Sequence, residues 1–419
     1  MKETHRRTLL FSPFFFPERI STGKANTHLA QALAAQGARV TVVCSHPLYP
    51  DWVPVWNHAP MAGVTVLRGG GWVRYPKRLA LRRVVLEAWF AAYAAWRAWQ
   101  QRKQAEIAIG VFPPSLFALC THLMLPRRTC QIAIVHDLQG VLAGQRGTLA
   151  RRMISRLVHV VESRVFRQQA LCIFFSTDMA KEAQRAYGLE ATRVAVQYPF
   201  VTIGDGNGNT SNASGLAAEA GCLQAVLPSG QAHVVYSGAL GEKQNSEQFV
   251  AFLQLAARKF PDVRFHLFSG GPVFGQLRAL YEDLPAPCVH FHPLVEERDL
   301  PELYARSTIQ MVPQAEKTEN GALPSKLPNL LAAGTYIFAI TSPESEVARL
   351  LREAGTGTVV ERWEEGLFLQ KMEGALRAAQ DVPATARRQQ AQPLLGRFAV
   401  ENLVSLVFTA AQAQREGKA

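Results

Sequence analysis

The sequence predicts an α/β protein with two doubly wound parallel sheets. The chain has 419 residues, enough for two domains that each bury a core. Short apolar runs alternate with longer amphipathic stretches over most of its length, and one stretch rich in Gly, Asn and Ser near residue 200 divides this alternation in two. Strands that alternate with helices form a parallel sheet with helices on both faces. Each half of the chain therefore predicts a doubly wound domain of its own.

The first half of the chain contains the predicted strands and helices of the first domain. Each strand is a short apolar run, and each helix is a longer stretch with apolar residues at helical spacing. The strands cover residues 8–11, 39–44, 64–67, 107–111, 131–135, 171–176 and 194–197, and the helices cover residues 24–36, 82–102, 149–168 and 179–187.

Residues 203–212 interrupt this pattern, because so much Gly, Asn and Ser cannot bury enough apolar surface to order the segment. Further strands follow at residues 233–236, 264–268, 289–292, 309–312, 336–340 and 358–360. We assign residues 1–200 to a first domain, 201–230 to a linker region and 231–380 to a second domain. Residues 381–419 are predicted to form helices, the last of which is a candidate to pack back on the first domain.

The composition restricts the partners and the compartment. A formal net charge of +12 favours an anionic partner, which leaves nucleic acid, anionic lipid and phosphorylated substrates open. The six cysteines form no CxxC pair and no metal-binding spacing, so we interpret them as reduced and structural. The apolar run before Ser12 is too short for a signal peptide, and no run of about 18 uncharged apolar residues occurs. We expect a cytosolic protein that does not span a membrane.

Three glycine turns follow predicted strands and are candidate phosphate sites. Gly23 precedes a helix, Gly238 leads to Lys243 at the start of another helix, and Gly271 follows a third strand. Glycine lets the backbone approach a ligand closely, and the free N–H groups of a helix N-terminus favour an anion. Each turn also has a purely structural interpretation: a helix N-cap at Ser21 or Thr22, a solvated lysine, or a tight turn.

The most informative segment is residues 319–334. Ser325 is predicted to cap a short helix that ends at Gly334, Lys326 offers a charge for phosphate, and Asn329 can hydrogen-bond ribose hydroxyls. Open α/β sheets bind ligands beyond the carboxyl ends of their strands, so two such domains facing a central cleft would suit a bulky charged substrate. The donor-binding candidates in this segment are Glu319, Asn320, Gly321, Ser325, Lys326 and Asn329.

The motifs resemble those of a known family. Pro-Ser-Lys before a short helix ending in Ala-Ala-Gly resembles the donor-binding segment of family 4 retaining glycosyltransferases with the GT-B fold. Ser-Gly-x-x-Gly-Glu-Lys-Gln together with Leu-Pro-Ser-Lys-Leu is similar to bacterial colanic-acid-type fucosyltransferases and N-acetylfucosamine transferases. The resemblance covers nearly the whole chain in order. Further family landmarks fall at Pro17-Glu18, at residues 47–50, at His136-Asp137 and at Tyr198-Pro199.

The resemblance implies specific roles. It implies that Gly23 contacts the donor diphosphate, that His136 lies near the donor sugar, and that Lys243 and Lys326 hold the phosphates, so the implied catalytic residues are His136, Lys243 and Lys326. The chain departs from the family pattern at three positions: Asn329 and Gly321 stand where many members have the two Glu of a Glu-x7-Glu pair, and Ala239 stands where many have Arg. His136 also has a structural interpretation, as a histidine at a strand end.

The resemblance also implies the reaction and its setting. It implies sugar transfer with retention from a UDP or GDP sugar, a deoxy- or N-acetylated hexose, to a glycan or polyprenyl-diphosphate-linked acceptor in surface polysaccharide synthesis. No cofactor and no metal are implied. We expect a cytoplasmic protein that is peripheral on the plasma membrane, because a basic stretch at 72–83 leads into a helix with Trp89, Trp96 and Trp99, and a second basic helix spans 151–167. The alternative is that these tryptophans pack on the sheet.

Three other functions remain to be weighed against sugar transfer. A non-hydrolysing sugar-nucleotide epimerase of the same fold needs acid and base carboxylates, and the sequence offers no convincing pair. A catalytically silent sugar-nucleotide-binding scaffold is suggested by the departures at Ala239 and Asn329. A nucleic-acid-binding protein is suggested by charge alone, and neither a helix-turn-helix pattern nor interleaved basic and aromatic residues support it.

Overall fold

The computed structural model describes residues 6–18, 20–49, 51–56, 60–138, 149–203, 220–281, 289–316 and 323–417. The chain divides into two compact units. Unit 1 comprises Met1–Pro199 and Ala399–Ala419, and unit 2 comprises Phe200–Phe398. The C-terminal segment therefore belongs to the unit that the N-terminal half of the chain forms.

Unit 1 is a doubly wound α/β unit around a seven-stranded parallel sheet of order β3-β2-β1-β4-β5-β6-β7. The order reverses between β1 and β4, which makes the carboxyl ends of these two strands the topological switch point. The strands are β1 (Arg7–Phe11), β2 (Arg39–Ser45), β3 (Val64–Gly69), β4 (Ile107–Phe112), β5 (Cys130–Val135), β6 (Leu171–Phe174) and β7 (Val194–Val196). The helices are α1 (Ser21–Ala35), α2 (Leu79–Gln101), α3 (Leu116–Met124), α4 (Leu149–Gln168) and α5 (Thr177–Tyr187).

Unit 2 repeats this architecture with a six-stranded parallel sheet of order β10-β9-β8-β11-β12-β13. Its switch point lies between β8 and β11. The strands are β8 (Ala232–Ser237), β9 (Val263–Ser269), β10 (Val289–Pro293), β11 (Ile309–Pro313), β12 (Tyr336–Ile340) and β13 (Thr358–Val360). The helices are α6 (Ala220–Val226), α7 (Ser246–Lys259), α8 (Pro272–Tyr281), α9 (Leu300–Arg306), α10 (Leu327–Ala333), α11 (Glu346–Ala354), α12 (Glu365–Asp381) and α13 (Ala384–Leu395), and α14 (Val400–Glu416) returns to unit 1.

The predicted fold class and strands are confirmed, and the observed bounds differ from the predicted ones by one or two residues at most ends. Central strands such as β5 and β11 are buried at every position, which explains why their sequences are apolar apart from one Gln each, Gln131 and Gln310. Helix α3 was not predicted. Its nine residues are mostly apolar, so they show no polar face by which a short helix can be recognised.

Two predicted helix caps are wrong. Helix α1 begins at Ser21 with Ile20 as its N-cap, and helix α10 begins at Leu327 with Lys326 as its N-cap; neither cap makes a side-chain hydrogen bond. Ser325 therefore lies outside α10 and is exposed. The predicted end of α10 is confirmed, because Gly334 adopts a left-handed conformation with φ of 69°.

Helix α14 packs in unit 1 through its apolar face, where Leu403, Val404 and Val407 are fully buried. The Arg6 guanidinium lies 4.5 Å from the ring centroid of Phe408 and donates to its carbonyl. Within the described part of the chain, Ala384–Glu416 is the one helical stretch that is long and apolar enough to cross a membrane. A core helix with a buried apolar face meets the same criterion of length and composition.

A chain of three histidines crosses β8, β9 and β10 of unit 2. His233 Nδ1 lies 3.1 Å from His266 Nε2, and His266 Nδ1 lies 3.1 Å from His292 Nε2. The Pro228 carbonyl accepts from His233 Nε2 at 2.9 Å and can only accept, so His266 Nε2 donates to His233, and His292 Nε2 donates to His266. The histidine chain therefore requires neutral rings at His233 and His266, because Nδ1 of each accepts a hydrogen bond.

Candidate functional site

The first candidate region is the switch point of unit 2, at the carboxyl ends of β8 and β11. Strand β8 ends at Ser237, and Gly238 follows with φ of 140°, a backbone conformation that favours glycine. The Gly238 N–H is already used, because it donates to the Phe268 carbonyl of β9 at 3.0 Å. The glycine is therefore required by the turn that lets the chain leave β8.

Lys326 bridges the two strands at this switch point. Its ammonium donates to the Met311 carbonyl of β11 at 2.7 Å and to the Ser237 carbonyl of β8 at 3.1 Å. Nζ also lies 4.1 Å from the centroid of the Tyr236 ring. Burial lowers the pKa of Lys326 to about 7. The ammonium thus links β8 and β11 from within the protein, and its role in holding phosphate stays a prediction.

Lys243 has a different environment from Lys326. It lies in a short 3₁₀ turn, Glu242–Gln244, between β8 and α7, and its side chain is exposed. The Lys243 carbonyl accepts from the Ala315 N–H at 2.9 Å, so the loop after β8 is hydrogen-bonded to the loop after β11. The fold therefore presents a cation at the carboxyl edge of the sheet, beside the switch point.

Gly271 stands between β9 and α8 with φ of 92°. A Cβ atom added there would meet nothing within 4 Å, so the backbone conformation and not a close approach requires the glycine. This geometry is what the tight-turn interpretation expects. Glu319, Asn320 and Gly321 lie outside the described residues.

The Asn329 carboxamide is engaged by its own unit. Asn329 is 5% exposed; its Oδ1 accepts from the Thr202 N–H at 2.7 Å and from the Ile203 N–H at 3.3 Å, and its Nδ2 donates to Thr202 Oγ1 at 2.9 Å. Ribose binding by Asn329 stays a prediction, and the geometry assigns its side chain to holding residues 202–203.

In unit 1, Gly23 lies in the first turn of α1 and is buried. A Cβ atom at Gly23 would lie 2.8 Å from the Cβ atom of Glu18, so the glycine leaves the space that the Glu18 side chain occupies. The Glu18 carboxylate accepts from the backbone N–H groups of Leu48 at 2.8 Å and Tyr49 at 3.1 Å. The Glu18 carboxylate thus joins two separate sequence motifs, Pro17-Glu18 and residues 47–50.

His136 directly follows β5. Its backbone N–H donates to the Phe112 carbonyl at 2.9 Å, and the centroid of its ring lies 4.4 Å from the centroid of the Phe175 ring. Nε2 is buried and makes no hydrogen bond with any residue that the structure describes. Burial lowers the pKa of His136 to about 4, so the ring is neutral near pH 7. A neutral imidazole with an unused nitrogen can hydrogen-bond a ligand hydroxyl.

Two carboxylates near the carboxyl end of β4, the half-buried Glu87 and the buried Glu162, were missed by sequence reasoning. Glu87 accepts from the N–H groups of Ser115 at 3.1 Å and Leu116 at 2.9 Å, at the start of α3, and burial raises its pKa. Glu162 accepts from Tyr187 Oη at 2.5 Å and from Ser115 Oγ at 3.3 Å. The sequence signal is that each Glu is the single acidic residue of its helix. Both carboxylates hold structural elements in place.

Within the described ranges, no three His, Cys, Asp or Glu residues are grouped so that they could hold a metal ion. The cysteines described at positions 44, 120, 130 and 172 are free thiols. Burial raises the pKa of both Cys44 and Cys172 to about 12, which leaves these thiols protonated and unreactive near pH 7.

Comparison with known proteins agrees with this architecture. Residues 22–199, nearly all of the N-terminal part of unit 1, match the glycosyl transferase 4-like domain family. Residues 22–199 belong to the glycosyl transferase 4-like domain family. The resemblance to family 4 glycosyltransferases that the sequence motifs indicated is confirmed.

Over 359 residues the chain is 24% identical to a putative colanic acid biosynthesis glycosyl transferase, WcaI, of Escherichia coli K12, covering 82% of this chain and 85% of that protein. Among solved structures, sucrose-phosphate synthase from Thermosynechococcus elongatus has a TM-score of 0.71 at 16% identity, covering 99% of this chain and 100% of its own. Anabaena HepE, solved in complex with UDP, has a TM-score of 0.63 at 13% identity, covering 97% and 100%. The chain therefore has the GT-B fold.

Proposed function

We propose that the chain transfers a sugar from a nucleotide-diphosphate sugar to a membrane-associated acceptor in surface polysaccharide synthesis, with retention of anomeric configuration. The donor sugar is a deoxy- or N-acetylated hexose, and the acceptor is a glycan or a polyprenyl-diphosphate-linked sugar. Three findings support the proposal: the family of unit 1, the E. coli relative named for colanic acid biosynthesis, and the likeness to a protein solved with UDP. We assign the donor to unit 2 and the acceptor to unit 1.

The observation that carries the donor assignment is the exposed Lys243 at the switch point of unit 2. Open α/β sheets bind ligands beyond the carboxyl ends of the strands, at the point where the strand order reverses. Lys243 supplies a positive charge there, and the hydrogen bond from Ala315 to its carbonyl fixes the turn that carries it. Lys326 stabilises the switch point itself, because its ammonium hydrogen-bonds to carbonyls of both β8 and β11.

In the proposed reaction, the bond between the anomeric carbon and the diphosphate oxygen breaks, and the acceptor hydroxyl oxygen bonds to the same face of that carbon. The hydroxyl proton passes to the departing phosphate oxygen, so the products are the glycosylated acceptor and a nucleoside diphosphate. Fixed positive charge stabilises the diphosphate as it departs, a task we assign to Lys243 and not to a metal ion. His136, neutral near pH 7, is proposed to hydrogen-bond the donor sugar.

A basic and aromatic surface of unit 1 supports an acceptor at the bilayer. Residues 70–86 contain five Arg or Lys and no Asp or Glu. Trp72 is 80% exposed and Trp56 66% exposed, and anionic lipid headgroups attract such a combination of basic and aromatic side chains. We name this the basic aromatic surface; its members are Trp56, Trp72, Arg74, Lys77, Arg78, Leu79, Arg83 and Val84, all exposed.

The tryptophans of α2 contribute less to that surface than the sequence suggested. Trp89 packs inward, since its Nε1 donates to Tyr75 Oη at 2.7 Å and its ring fills the space beside Gly70. Trp96 and Trp99 are about half exposed, and the guanidinium groups of neighbouring arginines lie 4.4 Å and 4.3 Å from their ring centroids. The exposed aromatic residues of the basic aromatic surface, Trp56 and Trp72, therefore lie in the loops before α2.

A nucleotide-binding screen tests the proposed function. The melting temperature of the purified protein is measured with UDP, GDP and dTDP, and the same is done for Lys243→Ala. We expect a rise of several degrees with one diphosphate in the wild type and a much smaller rise in the variant, because the phosphates lose their exposed cation. Lys259→Ala is the matched control, since this exposed lysine ends α7 at the other edge of the sheet. A folded wild-type protein that responds to none of the three would contradict the assignment of the donor to unit 2.

A further inference from the structure

The side chain of Glu18 is buried in the loop between β1 and α1, with 4% of its surface exposed. Its two carboxylate oxygens accept from consecutive backbone N–H groups of another loop, Oε2 from Leu48 and Oε1 from Tyr49. Hydrogen bonds to an ionised acceptor are roughly twice as strong as neutral ones. A buried carboxylate used in this way fixes the loop after β2 relative to the loop after β1.

Gly23 belongs to the same arrangement. Its added Cβ would lie 2.8 Å from Glu18 Cβ and 3.1 Å from Glu18 Cγ. Its backbone is helical, so the conformation does not demand a glycine; the Glu18 side chain does. The role of Gly23 is then to admit Glu18, which differs from the diphosphate contact that the resemblance implied.

The loop that Glu18 holds also connects to the loop after β3. Trp52 donates its N–H to the Leu48 carbonyl at 2.5 Å, and its ring packs edge-on against Phe14, from the first loop, and Tyr75, from the third. The Arg82 guanidinium lies 4.2 Å from the Trp52 ring centroid. The position of Leu48 therefore determines that of Trp52, which is shared by all three loops.

These loops lie at the carboxyl ends of β1, β2 and β3, the edge at which open α/β sheets bind ligands. Tyr49, whose N–H is bonded to Glu18, is 43% exposed at this edge. We propose that Glu18 is a positioning residue for the acceptor: its carboxylate sets the loop that carries Tyr49, and through Trp52 the neighbouring loops, in the geometry that receives the acceptor. The inference rests on the proposed assignment of the acceptor to unit 1.

The test compares Glu18→Gln and Glu18→Asp with wild type. Hydrogen exchange of residues 46–56 measures the loop directly. We expect at least tenfold faster exchange of the Leu48 and Tyr49 amides in Glu18→Gln, because an uncharged amide cannot accept from both N–H groups as the carboxylate does. Exchange in unit 2 should not change. Unchanged exchange at Leu48 and Tyr49 would overturn the proposal whatever the activity is.

The kinetic arm uses detergent-solubilised polyprenyl-diphosphate N-acetylglucosamine as the acceptor probe, with the nucleotide sugar chosen by the binding screen. Glu18→Gln is expected to raise the acceptor KM about tenfold or more and to leave the donor KM within twofold; Glu18→Asp, which keeps the charge, should recover part of the loss. Equal loss for donor and acceptor would indicate general misfolding and contradict a positioning role. Glu190→Gln is the control, an exposed carboxylate of unit 1 paired with Arg193. A wild type that does not transfer contradicts the proposed function, while the exchange arm still decides the role of Glu18.

Discussion

Asn329 and Thr202 are hydrogen-bonded through both ends of one carboxamide: Oδ1 accepts from the Thr202 N–H at 2.7 Å, and Nδ2 donates to Thr202 Oγ1 at 2.9 Å. The pair joins positions 127 residues apart in the chain. It holds the chain at the start of unit 2 against helix α10, within the segment 201–230 that was predicted as a linker region. Asn is suited to this task because it offers an acceptor and a donor on one side chain, whereas an ionised Glu only accepts.

Replacing Asn329 should therefore destabilise unit 2. We expect Asn329→Ala to lower the free energy of unfolding by about 2–3 kcal/mol, because it removes three hydrogen bonds and leaves the N–H groups of Thr202 and Ile203 without their acceptor. Asn329→Asp should cost roughly half as much, since a carboxylate still accepts from Thr202 N. Denaturant unfolding measures both variants. Equal stabilities of Asn329→Ala and the wild type would show that the Thr202 contact is not important for folding.

Lys326 predicts a pH dependence of stability. Its pKa is lowered to about 7 in the folded protein from an ordinary 10.5, so the unfolded chain binds more protons than the folded one between these values. Stability then rises as pH rises through this window. We expect the wild type to gain stability relative to Lys326→Met between about pH 7 and pH 10. Denaturant unfolding at several pH values measures this difference in the free energy of unfolding, and Lys259→Met is the surface control. If the free energies of unfolding of the wild type and Lys326→Met changed in parallel with pH, the prediction would be contradicted.

The histidine chain of unit 2 predicts sensitivity to acid. Burial, followed by nearby positive charges, lowers the pKa of His266 to about 2 and that of His292 to about 4, from an ordinary 6.5. The unfolded chain therefore takes up protons first, and stability falls as pH drops below about 6.5. His266→Gln should lose less stability than wild type between about pH 6.5 and pH 4, because it removes the group with the larger shift. The reverse order in acid denaturation would disprove this account.

The basic aromatic surface predicts binding to anionic vesicles. Arg74→Gln, Lys77→Gln and Arg78→Gln combined should weaken binding roughly 100-fold, at about 1 kcal/mol for each charge near the membrane. Vesicle co-sedimentation at low and high salt measures it, and the wild-type affinity should fall with salt. A control of equal charge change combines glutamine at three exposed arginines of unit 2: Arg362, Arg377 and Arg397. Equal weakening by both triple variants would assign the effect to net charge alone.

A second comparison separates the loop tryptophans from those of α2. Trp72→Ser should reduce vesicle binding more than Trp96→Ser, because Trp72 is 80% exposed whereas Trp96 is 48% exposed and stacked with Arg97. Both variants lose one indole ring, so they differ mainly in position. A larger loss of vesicle binding in Trp96→Ser than in Trp72→Ser would indicate that the membrane contacts the exposed face of α2.

The periodicity of the sequence was enough to predict both sheets. Strands such as β5 and β12 are buried along their whole length, and this burial favours predominantly apolar runs that are visible without a structure. The glycine turns at Gly238 and Gly271 were equally visible, since each follows such a run. Their conformations, with φ of 140° and 92°, agree with the turns that the sequence indicated.

The candidate site was predicted less completely, because the contacts of its polar side chains are made across the chain. Lys326 was assigned to phosphate from its motif, yet its ammonium bonds carbonyls of two strands. Glu18 was noticed only as part of a motif, and its partners at Leu48 and Tyr49 lie 30 and 31 residues away. No local pattern identifies such partners.

The sequence by itself therefore determined the α/β class, the order of strands and helices and the family motifs, because these follow from hydrophobic spacing and turn chemistry within short segments. Only the tertiary structure decided which polar groups are engaged and which are exposed. Lys243 and Lys326 show the reason, because both follow a strand of unit 2 and their environments differ. Lys243 is exposed to solvent, whereas the ammonium of Lys326 is buried and hydrogen-bonds to carbonyls. A buried ammonium without such partners would be too costly.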